Sequence, residues 1–156
     1  MRLLLGNLLF WVACGLGCGG CTPQASNDLR LGREVREQLA GAFAGEAIAG
    51  IPESFEVFTS MQQWSRFCDL HGIEPVQVDF LTRNLLVAFG GRKPSSGFSV
   101  EIESVVHSPR RALLTVQLRG GQPRTEDGTL TVLTYPWDAA TIEKGPTWSA
   151  VSVRRR

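Results

Sequence analysis

The sequence lacks the residue clusters that metal-binding and nucleotide-binding proteins usually carry. Its 156 residues include only two histidines. Cys18 and Cys21 have the spacing of one zinc-ligand pair, but no second ligand pair accompanies them. The stretch from Gly91 to Gly97 lacks both P-loop spacing and a following helix pattern. We therefore expect no metal, no cofactor and no nucleotide.

The chain also lacks an excess of charge of either sign. It has 16 Lys and Arg residues against 15 Asp and Glu, and the first 20 residues contain one of the basic ones, Arg2. Nucleic acids attract proteins mainly through their phosphate charge. A protein with balanced charge is not expected to bind DNA or RNA.

No apolar run is long enough for a transmembrane helix, which needs about 20 apolar residues. The run from Leu3 to Ala13 follows Arg2 and has the length of the apolar region of a secretory signal. Residues 1–20 are therefore predicted to be a signal peptide that directs export.

The cysteines after this run indicate a lipid anchor. Small residues precede Cys18 and Cys21, as in the cleavage box of bacterial lipoproteins, although neither cysteine has the usual Leu three positions before it. We favour Cys21 as the lipidated residue, with Cys18 nearly equal and a plain secretory signal as the alternative. Residues 21–27 then form a tether to a membrane face of the bacterial cell envelope.

Helical periodicity occurs only in the first half of the remaining chain. Residues 28–50 are predicted to be a helical region, because Leu31, Val35, Leu39 and Phe43 form one apolar stripe. A second helix is predicted from the capping sequence 60–63 to Gly72.

The second half of the chain has the two-residue period of strands. Strands are predicted at 55–58, 85–89, 98–102, 112–118, 130–132, 137–142 and 148–153. Polar residues alternate with the apolar ones, which predicts antiparallel pairing and one solvated face. We expect an α+β fold with N-terminal helices packed on a mainly antiparallel sheet of about five to six strands.

One part of the chain resembles a known family. Val78-Asp79-Phe80 precedes an apolar strand that ends at Gly91. Arg92 follows this strand, and Ser96-Gly97-Phe98 opens a further strand. Pro123, Gly128 and Thr134-Tyr135-Pro136 follow in order. From about Phe55 to Lys144 this arrangement resembles the C-terminal domain of the protease-complex subunit PrcB, so residues 51–153 are expected to form a PrcB-like domain. Ser96 and Phe98 depart from the family pattern, where Gly and Tyr are usual.

The resemblance implies a non-catalytic accessory subunit that binds another exported protein, such as a subtilisin-like protease. It implies no catalytic residues. A structural lipoprotein without a specific partner is an alternative function.

The loop after the strand that ends at Gly91 offers two cations, two hydroxyls and glycine-flanked backbone, a combination that suits an anion or an acidic segment of a partner. It is the candidate partner-binding surface, and a solvated turn between two strands is the alternative interpretation. The candidate residues are Arg92, Lys93, Ser95, Ser96, Gly97 and Phe98. Asp79 is expected to close a turn by accepting hydrogen bonds, and Phe80 and Pro136 are expected to be structural.

An enzymatic alternative depends on Cys68 and His71. Their i, i+3 spacing would place a thiol and an imidazole on one helix face. That face also carries Met61 and Trp64, so a core position is the favoured interpretation.

Overall fold

The computed structural model describes residues 24–26, 31–44, 47–108, 113–123, 130–144, 148 and 150–156. The predicted signal peptide, Cys18 and Cys21 lie outside these residues. In chain order the elements are β1 (Gln24–Ser26), α1 (Arg33–Ala42), β2 (Ser54–Phe58), α2 (Met61–His71), β3 (Arg83–Phe89), β4 (Ser99–Ser108), β5 (Leu113–Gly121), β6 (Trp137–Glu143) and β7 (Ala150–Arg155).

The strands form two sheets. One has the order β2–β3–β6 with both pairs antiparallel, and the other has the order β1–β4–β5–β7. In the second sheet β7 runs parallel to β5, and the other pairs are antiparallel. The α+β class is therefore confirmed, but the expected single sheet of five to six strands is replaced by a three-stranded and a four-stranded sheet.

The division into two sheets follows from β3, which is apolar on both faces. Leu85, Val87 and Phe89 contact the core that the helices cover, whereas Leu86 and Ala88 belong to the core between the sheets. The described elements thus form three layers, with the helices on the three-stranded sheet and the four-stranded sheet on its other side. The predicted solvated face is wrong for β3, because both sides of this strand are buried.

The helix α2 begins and ends where the sequence predicts. Ser60 caps it by accepting the amide of Gln63, and Gly72 ends it in the left-handed conformation with φ +65°. The Gln63 side chain reaches back to the amide of Thr59 at 2.9 Å. Trp64 is fully buried and donates its indole N–H to the carbonyl of Val76 at 3.0 Å, which attaches the helix to the chain that follows it.

Three segments differ from the expected elements. The predicted tether includes β1, whose residues pair with β4. The helix α1 occupies only part of the predicted region 28–50. Residues 130–132 do not form the predicted strand, and the backbone of Leu130 bonds instead to Ser96 in a loop. None of the helices in the described part of the chain has the length and apolar character needed to cross a bilayer.

Asp138 connects the layers at one side of the molecule. Its carboxylate, which is mostly buried on β6, accepts the amide of Ile102 on β4 at 2.8 Å. The other oxygen accepts from Arg36 on α1 at 2.7 Å. One side chain therefore fixes β6 against a strand of the other sheet and against the first helix.

Candidate functional site

The loop between β3 and β4 lies against the segment that precedes β6. Two backbone hydrogen bonds join Lys93 and Thr134, with N···O distances of 2.8 and 3.0 Å. Further along, the Ser96 amide donates to the carbonyl of Leu130 at 3.0 Å. We call residues 92–98 and 130–134 together the paired-loop surface.

Side-chain hydroxyls reinforce this pairing. The Ser96 hydroxyl accepts the amide of Leu130 at 2.9 Å, and the Thr134 hydroxyl donates to the carbonyl of Ser95 at 2.8 Å. Ser96 occupies a position where the resemblance leads us to expect Gly, and its hydroxyl supplies a hydrogen bond that Gly would lack. The departure from the family pattern therefore adds a link between the two segments.

Glycine is required at the start of the loop. Gly91 has φ +66°, and a Cβ atom there would lie 2.9 Å from the backbone nitrogen of Glu53. The left-handed conformation favours glycine, and the close backbone leaves no room for a side chain. Gly91 therefore fixes the direction in which the loop leaves β3.

The cations of the loop have different surroundings. Lys93 donates to one carboxylate oxygen of Glu53 at 3.1 Å, and Arg155 at the end of β7 pairs with the other oxygen. Arg92 is exposed. Glu53 therefore joins the paired-loop surface to the end of β7.

The 130–133 segment adds exposed apolar side chains to the surface. Leu130 is 70% exposed, and Val132 and Leu133 are each 49% exposed. Phe98 lines a shallow cleft of about 300 Å³ with residues 134–137. Contiguous exposed apolar side chains on a folded domain commonly mark an interaction surface.

The structure therefore changes the character of the predicted binding loop. Lys93 and Ser96 were expected to contact an anion or an acidic partner, but their polar groups bond to Glu53 and Leu130. Ser95 contributes its carbonyl to the pairing, and Gly97 supplies a left-handed turn with φ +89°. Arg92 and Thr131 are exposed beside the apolar side chains, so the surface suits an apolar contact with a polar rim.

The residues predicted to be structural, Asp79, Phe80 and Pro136, make contacts within the fold. The carboxylate of Asp79 accepts from the Thr82 hydroxyl at 2.6 Å and from the Leu81 amide at 3.0 Å. The hydrogen bond from Thr82, followed by that from Leu81, lowers the pKa of this carboxyl from its ordinary value. Phe80 is buried in the helix-side core. The Pro136 carbonyl accepts the Gly90 amide at 2.7 Å and so connects β6 to the end of β3.

Cys68 and His71 do not have the surroundings of a catalytic pair. Cys68 is completely buried, and burial, with a smaller contribution from Asp69, raises the pKa of its thiol from 9.0 to about 12. The His71 ring packs on Phe67 with ring centres 4.6 Å apart. A nucleophilic cysteine requires an accessible thiolate, and this position disfavours one.

Within the described ranges, no three His, Cys, Asp or Glu side chains come together in a way that would hold a metal ion. The other histidine, His107, lies on β4 with its ring centre 6.3 Å from that of Trp148.

Sequence reasoning missed the second half of the paired-loop surface. The alternating run Leu130-Thr131-Val132 indicated a strand, and Glu53 lies in a short break that carries no recognisable motif. The available signal was Thr134-Tyr135-Pro136, which was recognised as part of the family pattern but not as a partner of the loop.

One of three comparisons with known proteins gave a match. Searches of curated proteins and of solved structures gave no significant match. A family model described as PrcB C-terminal matches residues 85–143, which extend from β3 to the end of β6. The match is narrower than the expected range of 55–144 and begins after Val78-Asp79-Phe80. It includes the whole paired-loop surface. The resemblance inferred from the sequence is thus confirmed for residues 85–143, which match the PrcB C-terminal family.

Proposed function

We propose that this protein is an exported, lipid-anchored and non-catalytic accessory module that binds another exported protein through the paired-loop surface. The observation that carries the proposal is the exposed apolar group Leu130, Val132 and Leu133, held on a rigid frame of hydrogen bonds to the neighbouring loop. A preorganised surface loses little conformational entropy on binding. The choice of a subtilisin-like protease as the partner comes from the resemblance to the protease-complex subunit PrcB, and the family match over residues 85–143 supports that resemblance.

Lipid attachment at Cys21, or at Cys18, would hold the module at a face of the cell envelope. Mass spectrometry of the mature N-terminus tests the anchor directly. We expect a diacylglyceryl-modified cysteine whose modification is lost in Cys21→Ser, with Cys18→Ser as the matched control. An unmodified amino terminus would remove the anchor from the proposal.

The enzymatic alternative has little support, because the thiol of Cys68 is buried and its pKa is raised. A structural lipoprotein without a specific partner would show no selective capture in the experiment that follows. The balanced charge of the chain supports the expectation that it binds no nucleic acid.

Affinity capture with the full-length protein tests the binding function. Membrane extract of the source organism is passed over immobilised protein, and the eluate is assayed for serine-protease activity that phenylmethylsulfonyl fluoride inhibits. We expect Val132→Asp to abolish capture, because a charge in an apolar contact must be desolvated.

Leu81→Asp is the matched control, since Leu81 is exposed on a different turn. Its capture should equal that of the unaltered protein. Equal capture by both variants would remove the paired-loop surface from the proposal. An eluate without inhibitable protease activity would contradict the choice of partner.

A further inference from the structure

In the described part of the chain, the two sheets leave one side open between two edge strands. At one side of the layers Asp138 joins β6 to β4. At the opposite side Glu53, just before β2, contacts Arg155 at the end of β7. Both β2 and β7 are edge strands in the order of the described sheets. This side therefore presents two strand edges and the space between them.

Apolar side chains from both strands face this space. Phe55 and Val57 pair with Ala88 and Leu86, which places them on the face of β2 that points toward the other sheet. On β7, Val151 and Val153 pair with Leu114 and Val116 and face the same interior. We call Phe55, Val57, Val151 and Val153 the edge groove.

The edge groove is not filled by the described residues. Although Val151 and Val153 point toward the interior, they are 40% and 38% exposed. At the end of β7, Arg155 lines a cavity of about 160 Å³ together with Phe89, Val100 and Leu118 and with Glu53 and Lys93. An apolar side chain that entered the groove would therefore remove apolar surface from water on both strands.

The backbone of β7 can pair with another strand. The amide of Arg156 donates to Leu118 at 3.0 Å, and its carbonyl accepts from Gly120 at 3.1 Å, so the main chain of Arg156 faces β5. Since main-chain groups alternate along a strand, those of Val151, Val153 and Arg155 face outward. No described strand pairs with this edge.

The charges at the end of β7 indicate which kind of segment fits. Arg154, Arg155 and Arg156 are all exposed, and β7 contains no acidic residue. Arg155 already pairs with Glu53, so the attraction for a partner comes mainly from Arg154 and Arg156, which have no carboxylate partner among the described residues. A second copy of this chain, paired through the same edge, would bring three more arginines to it. An acidic segment instead gains attraction from these side chains.

From this geometry we propose that β7 accepts an extended segment of a partner protein by β-strand addition. Alternate apolar side chains of the segment enter the edge groove, and carboxylates at one of its ends meet Arg154–Arg156. This mode combines main-chain hydrogen bonds with pockets for every second side chain. The inference stands on β2 and β7 and does not depend on the identity of the partner at the paired-loop surface.

Synthetic peptides test strand addition to the full-length protein. The probe is a fluorescent nine-residue peptide of alternating valine and threonine with two aspartates at one end, made with the aspartates at either terminus. Fluorescence anisotropy should show saturable binding of at least one of the two. Replacement of the aspartates by lysines should weaken that binding roughly tenfold. Failure of both aspartate peptides to bind would overturn the proposal.

The main-chain pairing is tested on the peptide itself. N-methylation of alternate residues removes the donors from one edge only. We expect one methylated set to lose binding and the complementary set to keep it. Strand addition would be refuted if both methylated peptides bind or if neither binds. This test does not depend on the stability of a protein variant, because only the peptide is altered.

Val153→Pro tests the same pairing on the protein. Proline there removes an outward amide and leaves the bonds between β5 and β7 in place. The affinity of Val153→Pro for the aspartate peptide should be roughly tenfold lower than that of the unaltered protein. Val153→Thr keeps the amide and should bind the peptide more tightly than Val153→Pro. Equal affinity of the two variants would contradict the proposal. A dimer of the unaltered protein that Val153→Pro dissociates would assign the edge to self-association and overturn it as well.

Discussion

Iodoacetamide at pH 8 should leave Cys68 unmodified in the native protein. The side chain is completely buried, and burial together with Asp69 raises the pKa of the thiol from 9.0 to about 12. At pH 8 a thiol with the ordinary pKa is about one-tenth ionised, whereas one with a pKa near 12 is about one ten-thousandth ionised. The reactive thiolate is therefore reduced about a thousandfold even before burial restricts access of the reagent.

The assay must separate Cys68 from the three cysteines of the N-terminal segment. Mass spectrometry of the peptide that contains Cys68 gives the rate of its alkylation directly. The matched control is Leu70→Cys in a Cys68→Ala background, since Leu70 is an exposed residue of the same helix. Alkylation of native Cys68 within a factor of about ten of this control would refute the argument from burial and would restore the enzymatic alternative.

The same shift predicts a dependence of stability on alkaline pH. The folded-state pKa lies above the ordinary value, so the folded state holds its thiol proton more strongly than the unfolded chain does. The contribution of Cys68 to stability is then complete below pH 9 and is lost as the pH rises from 9 toward about 12. Urea unfolding should show that the free energy of unfolding falls more between pH 8 and pH 10.5 for the unaltered protein than for Cys68→Ala.

Two further substitutions, each with a comparison variant, test the contacts that hold the layers and the loop. Asp138→Ala should lower the free energy of unfolding by about 2–3 kcal/mol, because it leaves a buried β4 amide without its acceptor. Arg36→Ala should lower it by less than about 1 kcal/mol, because the guanidinium is mostly exposed. Urea titration measures both, and equal losses would contradict the assignment of Asp138 as the central group. Gly91→Ala should cost about 1–3 kcal/mol in the same assay and reduce partner capture, because φ is +66° and the new Cβ would approach Glu53. Gly41→Ala, in open space on α1, is its control and should be neutral or slightly stabilising.

Local signals predicted α2 well, since its caps depend on residues close in sequence. Ser60, Gln63 and Gly72 act within one helix, and their roles follow from their own chemistry. Local signals did not predict the division into two sheets. Residues 84–89 form a nearly continuous apolar run, and a two-residue period assigns only one face of it. The second face is covered by β4 and β5, whose placement depends on long-range packing.

The candidate site was likewise predictable only where local signals sufficed. The glycines and cations of the loop marked it as exposed, and this part of the prediction needed only local information. Its pairing with 130–134 depends on contacts such as Ser96 with Leu130, which are 34 residues apart. No local pattern indicates that these backbones meet. The alternation in 130–132 favoured a strand, but the backbone of Leu130 and Thr134 bonds to the loop and leaves the apolar side chains exposed.

The limits of the family match separate the two proposed surfaces. The paired-loop surface lies entirely within residues 85–143, whereas β7, Phe55 and Glu53 lie outside them. The accessory role proposed above was inferred from the family resemblance, so we assign it to the paired-loop surface, which the match covers. Strand addition at β7 depends instead on the edge geometry and arginines of this chain. Val132→Asp and Val153→Pro therefore address separate functions, and loss of partner capture in the first should leave peptide binding at the edge groove unchanged.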